Sequence, residues 1–215
     1  MEFNVYVVLC FIGAYVLGSI PSAVWFGKAL HRIDVREHGS KNAGATNVLR
    51  VLGAKTAIYV MIVDIIKGVA AVFLANLVKN SFSDHQFFSL FKIVLGFMAL
   101  LGHLYPFLAG FRGGKGVATI TGVVIVIFPQ AILFCLTTFL AFFIPTRYVS
   151  LGSIMASIMF PISVIWIGGT EAIPEIVFSV LVAIFIIFSH RTNIKRLLNG
   201  TENKIYFRKK GTLEK

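Results

Sequence analysis

Six long apolar stretches, separated by short polar connections, dominate the chain. They span residues 5–27, 57–79, 87–109, 117–145, 151–168 and 173–189. A helix needs about 20 mostly apolar residues to cross a bilayer, so each stretch predicts a membrane helix. The fourth stretch carries Pro129, and a proline inside a helix removes a backbone donor and clashes with the preceding turn. We therefore predict that this stretch splits into two helices near residues 128–130.

The basic residues lie in alternate connections. Lys28, Arg32, Arg36, Lys41, Arg50 and Lys55 flank the first, Arg112 and Lys115 lie in the third, Arg147 lies in a later one, and a basic tail runs from Arg191 to Lys215. The connections at 80–86 and 168–175 instead carry Asp84, Glu171 and Glu175. The positive-inside rule places the basic connections in the cytoplasm and the N-terminus outside.

This assignment sets a test for the fourth stretch. The connections at 112–115 and 147 share one side only if residues 117–145 cross an even number of times. The prediction is an all-α, polytopic membrane bundle of seven transmembrane helices, with a periplasmic N-terminus and a cytoplasmic C-terminus. The alternative is six helices with a kinked fourth, because membrane helices tolerate prolines; it would place Arg147 and the tail outside.

The composition supports a single membrane domain over residues 1–215. Hydrophobic residues make up 57% of the chain and charged residues 13%, which leaves too little polar surface for a soluble globule. The net charge of +11 is spread over connections rather than gathered with aromatic residues, so we expect no nucleic-acid partner. No metal-ligand spacing occurs, and we expect neither a metal nor a cofactor.

The first polar connection, residues 38–50, has the composition of an anion-binding loop. Its candidate substrate-binding residues are Gly39, Ser40, Asn42, Gly44, Thr46, Asn47 and Arg50. Glycines let successive N–H groups converge on an anion, and an arginine can grip an oxyanion with two hydrogen bonds. A nucleotide-binding P-loop is excluded, because Ala45 stands where that motif requires a lysine. A tight turn followed by a helix N-cap at Thr46 or Asn47 would explain the same residues.

Two further connections carry candidate site residues. Arg112, Gly113, Gly114, Lys115 and Gly116 combine flexible backbone with two cations, a pattern that suits a phosphate clamp; a turn with an orientation signal is the alternative. His190 and Asn193 share one face if their segment is helical. Ser150 lies at a predicted helix start, where a serine is commonly a cap.

Some polar or small residues inside the predicted helices are interpreted as structural. Asp64 and Lys67 lie three residues apart and can neutralise each other, so we expect a buried support for the first connection rather than an ion pathway. His103 and the glycines Gly13 and Gly18 are expected to serve close helix packing.

The motifs together resemble one family. They are GSIPSA at 18–23, GSKNAGATNVLR at 39–50, DIIKG at 64–68, GHLYPFLAGFRGGKGVAT at 102–119, RYVS at 147–150 and SHRTNIKRLLNGTENK at 189–204. In this order and at these intervals they resemble the bacterial acyl-phosphate:glycerol-3-phosphate acyltransferases, the PlsY family. Lys41 departs from the pattern, since the resemblance leads us to expect glycine there.

The resemblance implies an enzyme of the bacterial inner membrane with a cytoplasmic active site. Its substrates would be acyl phosphate and glycerol 3-phosphate, its product lysophosphatidic acid, and its surroundings membrane lipid; an acyl-phosphate-producing enzyme is a possible partner. The functional polar residues would be Ser40, Arg50, Lys115, Ser150, His190 and Asn193, with loop glycines as backbone donors.

Acyl phosphate has a good leaving group, so direct attack by the glycerol hydroxyl needs no acyl-enzyme. The sequence also has no G-x-S-x-G nucleophile motif. The proton would go to His190 or to a phosphate oxygen, and the second is favoured. Two other functions stay open: a transporter of anionic metabolites, although no internal repeat is found, and a non-catalytic membrane scaffold.

Overall fold

The computed structural model describes residues 5–167 and 172–205, and the described chain is helical throughout, without strands. The helices are α1 (Val5–Gly18), α2 (Ser22–His31), α3 (Ala45–Leu52), α4 (Ala54–Phe73), α5 (His85–Leu104), α6 (Val117–Ile127), α7 (Pro129–Thr146), α8 (Val149–Trp166), α9 (Ile173–Ser189) and α10 (Arg191–Leu198). Three 3₁₀ helices lie at Val35–Glu37, Leu74–Ser81 and Phe107–Ala109. The predicted all-α class is confirmed. Glu171 and the tail from residue 206 lie outside the described residues.

Several helices suit a membrane. In the described part of the chain, the continuous helical segments Ala54–Ser81, His85–Ala109, Pro129–Thr146 and Val149–Trp166 are long and apolar enough to cross one. Two bent pairs, α1 with α2 at 41° and α9 with α10 at 59°, raise the number to six if each pair is one span. Helix α6 is apolar but has 11 residues, about 16 Å, which is short for a hydrocarbon core about 30 Å thick.

The predicted break at Pro129 is present. Helix α6 ends at Ile127, Phe128 leaves the helical conformation with φ −129° and ψ 61°, and Pro129 is the first residue of α7. A proline is well suited to the first helical position, where its missing N–H has no intrahelical partner to lose. The apolar run at 117–145 is therefore two helices rather than one kinked helix.

Glycines bring two helix pairs into close contact. An added Cβ on Gly18 of α1 would lie 2.1 Å from the carbonyl oxygen of Ala99 on α5. On α4, the same addition to Gly68 would lie 2.1 Å from the carbonyl oxygen of Thr119 on α6. Small residues allow such backbone contact between membrane helices, so the packing role expected for Gly18 agrees with the structure.

The polar connections lie together at one end of the bundle. Helix α3 and the connection at 112–116 meet there with the start of α8 and the segment that follows α10, through Arg50, Lys115, Ser150 and Glu202. At another place, Ser89 of α5 donates a hydrogen bond of 2.9 Å to Glu175 of α9. Since residues 115 and 150 share an end, helices α6 and α7 form a hairpin that leaves this end and returns to it.

Candidate active site

The first polar connection is held in shape by Asn47. Its Oδ1 accepts from the N–H of Ser40 at 2.8 Å, and its Nδ2 donates to the carbonyls of Val35 at 2.8 Å and His38 at 3.1 Å. The side chain is 1% exposed. Helix α3 begins at Ala45 after Gly44, so the alternative interpretation, an N-cap at Thr46 or Asn47, is wrong. Asn47 reaches backward to brace the loop, and its amide is fully used within the protein.

The backbone at Lys41 has a conformation that favours glycine, the residue that the family resemblance leads us to expect there. Its φ of 60° lies in the left-handed region, where glycine is favoured because it has no Cβ. The lysine keeps the backbone bend that a glycine would adopt more easily, and its N–H donates to the His38 carbonyl at 3.0 Å.

Arg36 joins the first connection to the 3₁₀ turn after α5. Its guanidinium forms two hydrogen bonds to Asp34 and donates a third to the carbonyl oxygen of Ala109 at 2.6 Å. The Arg36 hydrogen bonds hold the pKa of the Asp34 carboxyl below its usual range. The two connections predicted to bind anions are therefore fixed to each other.

A carboxylate that sequence analysis missed lies at the centre of the polar end. Glu202 accepts hydrogen bonds at Oε1 from Ser150 at 3.1 Å and from Asn193 at 2.8 Å, and Arg50 lies 3.7 Å from the same oxygen. Its side chain is 1% exposed. The segment around it folds back over α8, since the N–H of Ile205 donates to the carbonyl of Arg147 at 2.9 Å.

Lys115 completes this cluster. Its ammonium donates to Oδ1 of Asn193, whose amide nitrogen is the donor to Glu202. Burial is the main cause that lowers the pKa of Lys115 to about 8; Glu202 opposes it, and Arg50 and Arg196 contribute smaller decreases. Arg50, Lys115 and Arg196 thus outnumber the one carboxylate, and the excess positive charge favours an added anion.

Two atoms of the cluster are free for a ligand. Among the residues that the structure describes, Arg50 Nε and Glu202 Oε2 are buried and have no hydrogen-bond partner. A buried donor without a partner is costly, and a phosphate oxygen on Arg50 Nε would remove that cost. The free carboxylate oxygen could accept from a hydroxyl group.

His190 faces the cluster as a neutral ring. Its Nδ1 lies 2.8 Å from the carbonyl oxygen of Ile186, and because a carbonyl can only accept, Nδ1 carries the proton. Burial is the main cause that lowers the pKa of His190 to about 4, and the charge of Lys115 contributes a smaller decrease. The other nitrogen, Nε2, is then an acceptor and cannot donate to a phosphate. His190 and Asn193 lie at the start of α10, as the helical spacing predicted.

The glycines at 113 and 114 act differently from the expected backbone donors. Their N–H groups donate to the last carbonyls of α5, Gly113 to Leu104 at 3.1 Å and Gly114 to His103 at 3.2 Å. A Cβ on Gly113 would lie 2.0 Å from the His103 carbonyl oxygen. These two glycines serve close packing beside Lys115.

The predicted residues thus divide into two sets. Glu202 joins the first set, which comprises Arg50, Lys115, Ser150 and Asn193. His190 belongs with them, because the charge of Lys115 lowers its pKa. No side-chain hydrogen bond or ion pair within residues 5–167 and 172–205 joins this cluster to the remaining candidates. These are Gly39, Ser40, Asn42, Gly44, Thr46, Asn47, Arg112, Gly113, Gly114 and Gly116.

Glu202 and Arg196 were not predicted as site residues, because nothing in the sequence indicates that the segment after α10 folds back. The available signal was indirect. Glu202 is the acid within the motif at 189–204, and a lone acid beside several cations suggests a buried partner for them.

Known proteins resemble this chain over most of its length. The model of the glycerol-3-phosphate acyltransferase family matches residues 8–200. The chain belongs to this family. A glycerol-3-phosphate acyltransferase of Fusobacterium nucleatum is 42% identical over 199 residues, with 92% of this chain and 98% of the relative covered. A glycerol-3-phosphate acyltransferase 2 of Bacillus anthracis is also 42% identical at the same coverage.

Solved structures of the family share the fold. The crystal structure of PlsY, an integral membrane glycerol 3-phosphate acyltransferase, in its glycerol 3-phosphate form has 36% sequence identity and a TM-score of 0.80, covering 93% of this chain and 96% of its own. The lysophosphatidic acid form of PlsY gives a TM-score of 0.79. The acyltransferase activity predicted from the motifs is confirmed at the level of the family, and the chain is an integral membrane acyltransferase of the PlsY family.

Proposed function

We propose that this protein transfers a fatty acyl group from acyl phosphate to the 1-hydroxyl of glycerol 3-phosphate, giving lysophosphatidic acid and phosphate. The observation that carries the proposal is the cluster of Arg50, Lys115 and Asn193 around Glu202. It has excess positive charge and a buried, unused donor at Arg50 Nε. Phosphate is the group common to the donor and the acceptor of this reaction, and such a cluster suits it.

The reaction is a direct displacement. The glycerol hydroxyl oxygen forms a bond to the acyl carbon, and the bond between that carbon and the phosphate oxygen breaks. Arg50 and Lys115 stabilise the negative charge that develops on the departing phosphate. Because they also hold the phosphate in place, positioning supplies a further part of the rate. No covalent acyl-enzyme is required.

The hydroxyl proton passes to a phosphate oxygen. With its pKa at about 4, His190 is a weaker base than a phosphate group, whose second pKa is about 6. His190 Nε2 instead accepts a hydrogen bond from the other, non-reacting hydroxyl of glycerol 3-phosphate and so helps to orient the substrate. Ser40 and Ser150 are proposed to assist substrate binding at the edge of the same site, together with Gly39, Asn42, Thr46 and Arg112.

The active site is proposed to face the cytoplasm of a bacterial inner membrane. Basic connections and the cluster gather at one end of the bundle, which the positive-inside rule assigns to the cytoplasm. The hairpin of α6 and α7 supports an even number of crossings between Lys115 and Ser150. We infer seven crossings in one domain, with the N-terminus periplasmic and the C-terminus cytoplasmic. An acyl-phosphate-producing enzyme would supply the donor from the same side.

The decisive experiment is conversion of labelled glycerol 3-phosphate by the purified protein in lipid nanodiscs. Palmitoyl phosphate, palmitoyl-acyl carrier protein and palmitoyl-coenzyme A are compared as donors, with Lys115→Ala as the inactive control. We expect lysophosphatidic acid only with palmitoyl phosphate, and at least 100-fold less product from the variant. Equal product from a thioester donor, or undiminished activity of the variant, would reject the proposal.

A further inference from the structure

A second charged cluster lies away from the candidate active site, within the helices. Lys67 Nζ is 2.8 Å from Asp64 Oδ1, Ser22 Oγ donates to the same oxygen at 2.7 Å, and His103 Nδ1 lies 3.7 Å from it. The exposed fractions are 1% for Asp64, 3% for Lys67 and 6% for His103. We call these four residues the buried charge network.

The network fastens the turn between α1 and α2 to α4. Besides its contact with Asp64, Lys67 donates to the carbonyl oxygen of Ile20 at 3.0 Å. Ser22 is the first residue of α2, so both sides of the turn are held by the charged pair. The structural role expected for Asp64 and Lys67 agrees with these contacts, but what they hold is the α1–α2 turn rather than the loop at 38–50.

The network also reaches the connection at 112–116, through His103. Gly114 packs against the imidazole so closely that an added Cβ would lie 2.3 Å from Nε2, and its N–H donates to the His103 carbonyl. On its other side, the same Cβ would lie 2.9 Å from the carbonyl oxygen of Ala43. Gly114 is thus held between the network and the first polar connection, one residue before Lys115.

A small cavity lies at this junction. It is lined by Ile20, Pro21, Ser22, Ala43, Lys67, His103, Pro106, Arg112, Gly113 and Gly114. The turn after α1, the pair on α4 and both polar connections therefore meet around one space. A shift of any of them changes the packing against Gly114.

Helix packing alone does not require ionised residues here. A buried ion pair in an apolar surrounding costs desolvation energy, and apolar side chains of similar size often serve stability equally well. What the ion pair adds is direction, because each of its contacts fixes a donor against an acceptor. Because burying an ionisable residue inside a membrane helix is energetically costly, such a residue is by default assigned a function.

We propose that Asp64 and Lys67 are positioning residues for acyl transfer, which act through His103 and Gly114 to hold the 112–116 connection and so place Lys115 beside Asn193. This inference rests on the proposed function for its catalytic consequence. The part that concerns the position of the connection is independent of the acyl donor.

The test combines a neutral double variant with a single one. Asp64→Asn/Lys67→Gln removes both charges together and avoids leaving either one unpaired. Ser22→Ala removes one hydrogen-bond donor to Asp64 and keeps the ion pair. The matched control is Ser179→Ala on α9, a buried serine whose hydroxyl donates to the carbonyl of Ile176 in its own helix at 2.7 Å.

Two quantities are measured for each variant in nanodiscs. Hydrogen–deuterium exchange of the peptide that covers residues 112–116 is followed without substrate. Steady-state kinetics then give kcat and the KM for glycerol 3-phosphate, with palmitoyl phosphate as donor. We expect faster exchange in the double variant and a loss of about 100-fold in kcat/KM, since misplacing a catalytic group by about 1 Å has such an effect. For Ser22→Ala we expect a loss of three- to tenfold, the effect of one hydrogen bond.

The outcomes separate the two proposals. A folded double variant with wild-type exchange and wild-type kcat/KM would overturn the positioning role. If the double variant does not fold, Ser22→Ala decides, and behaviour equal to that of Ser179→Ala would overturn it. Failure of the wild-type protein to use palmitoyl phosphate would reject the proposed donor, while the exchange comparison still tests whether the network holds the connection.

Discussion

Two buried clusters of charge lie in this bundle, and they differ in how completely their polar atoms are paired. In the buried charge network, Asp64 and Lys67 contact each other and further partners on α2, α5 and the α1–α2 turn. In the cluster at the polar end, Arg50 and Glu202 each keep one buried atom without a partner among the described residues. Paired groups hold structure, whereas unused donors are available to a substrate.

The two clusters also differ in net charge. Asp64 and Lys67 form a neutral pair, while Arg50, Lys115 and Arg196 outnumber Glu202. An anion bound beside a neutral, enclosed ion pair would add little electrostatic stabilisation. A cation-rich cluster with a spare donor gains both charge neutralisation and a hydrogen bond, so substitution there should affect substrate binding directly, whereas substitution in the buried charge network should act through the position of Lys115.

The largest effect is expected at Arg50. Arg50→Lys keeps the positive charge but removes Nε and the planar fork, so we expect kcat/KM to fall about 100-fold with little change in the thermal midpoint. Arg191→Lys, at an exposed arginine over the Phe188 ring, is the matched control and should keep wild-type kinetics. Kinetics of Arg50→Lys equal to the control would mean that charge alone suffices and the spare donor is unused.

Glu202 should matter more for stability than for substrate contact. Glu202→Gln keeps the shape of the side chain but removes the charge that Arg50, Ser150 and Asn193 surround. We expect the free energy of unfolding to fall by about 2 kcal/mol, the usual value of a hydrogen bond to a charged group. Denaturant titration in mixed micelles measures it, with the exposed Glu37→Gln as control. A variant as stable as the control would show that Glu202 is not a structural anchor.

The membrane class, the break before Pro129 and two cations of the cluster, Arg50 and Lys115, could be predicted from the sequence. These follow from local chemistry, because apolar length, proline and paired cations have direct structural consequences. Sequence analysis did not predict Glu202, nor that the N–H groups of Gly113 and Gly114 would bond to α5. Both depend on contacts between distant segments, such as Ile205 with Arg147, which composition and spacing do not encode.

The pKa of Lys115 predicts a pH dependence. A lysine whose pKa is lowered to about 8 is charged below that pH and loses its charge as the pH rises through it. The glycerol 3-phosphate phosphate is already a dianion above pH 7, so the KM for it should rise about fivefold from pH 8 to pH 9, as the charged fraction of Lys115 falls. Lys115→Arg stays charged over this range and should give a flat profile. Parallel profiles would assign the titration to another group.

The smallest effect is expected at Lys41, which neither cluster contacts. Its left-handed φ of 60° costs an L-residue about 1 kcal/mol, and glycine removes that strain while adding backbone entropy to the unfolded chain. We expect Lys41→Gly to raise the free energy of unfolding by about 0.5 kcal/mol. Lys55→Gly, at the second residue of helix α4, should lower it by a smaller amount than the roughly 1 kcal/mol that glycine costs in a helix interior. Denaturant titration distinguishes these opposite signs, and a loss of stability in both variants would show that the bend at Lys41 is unstrained.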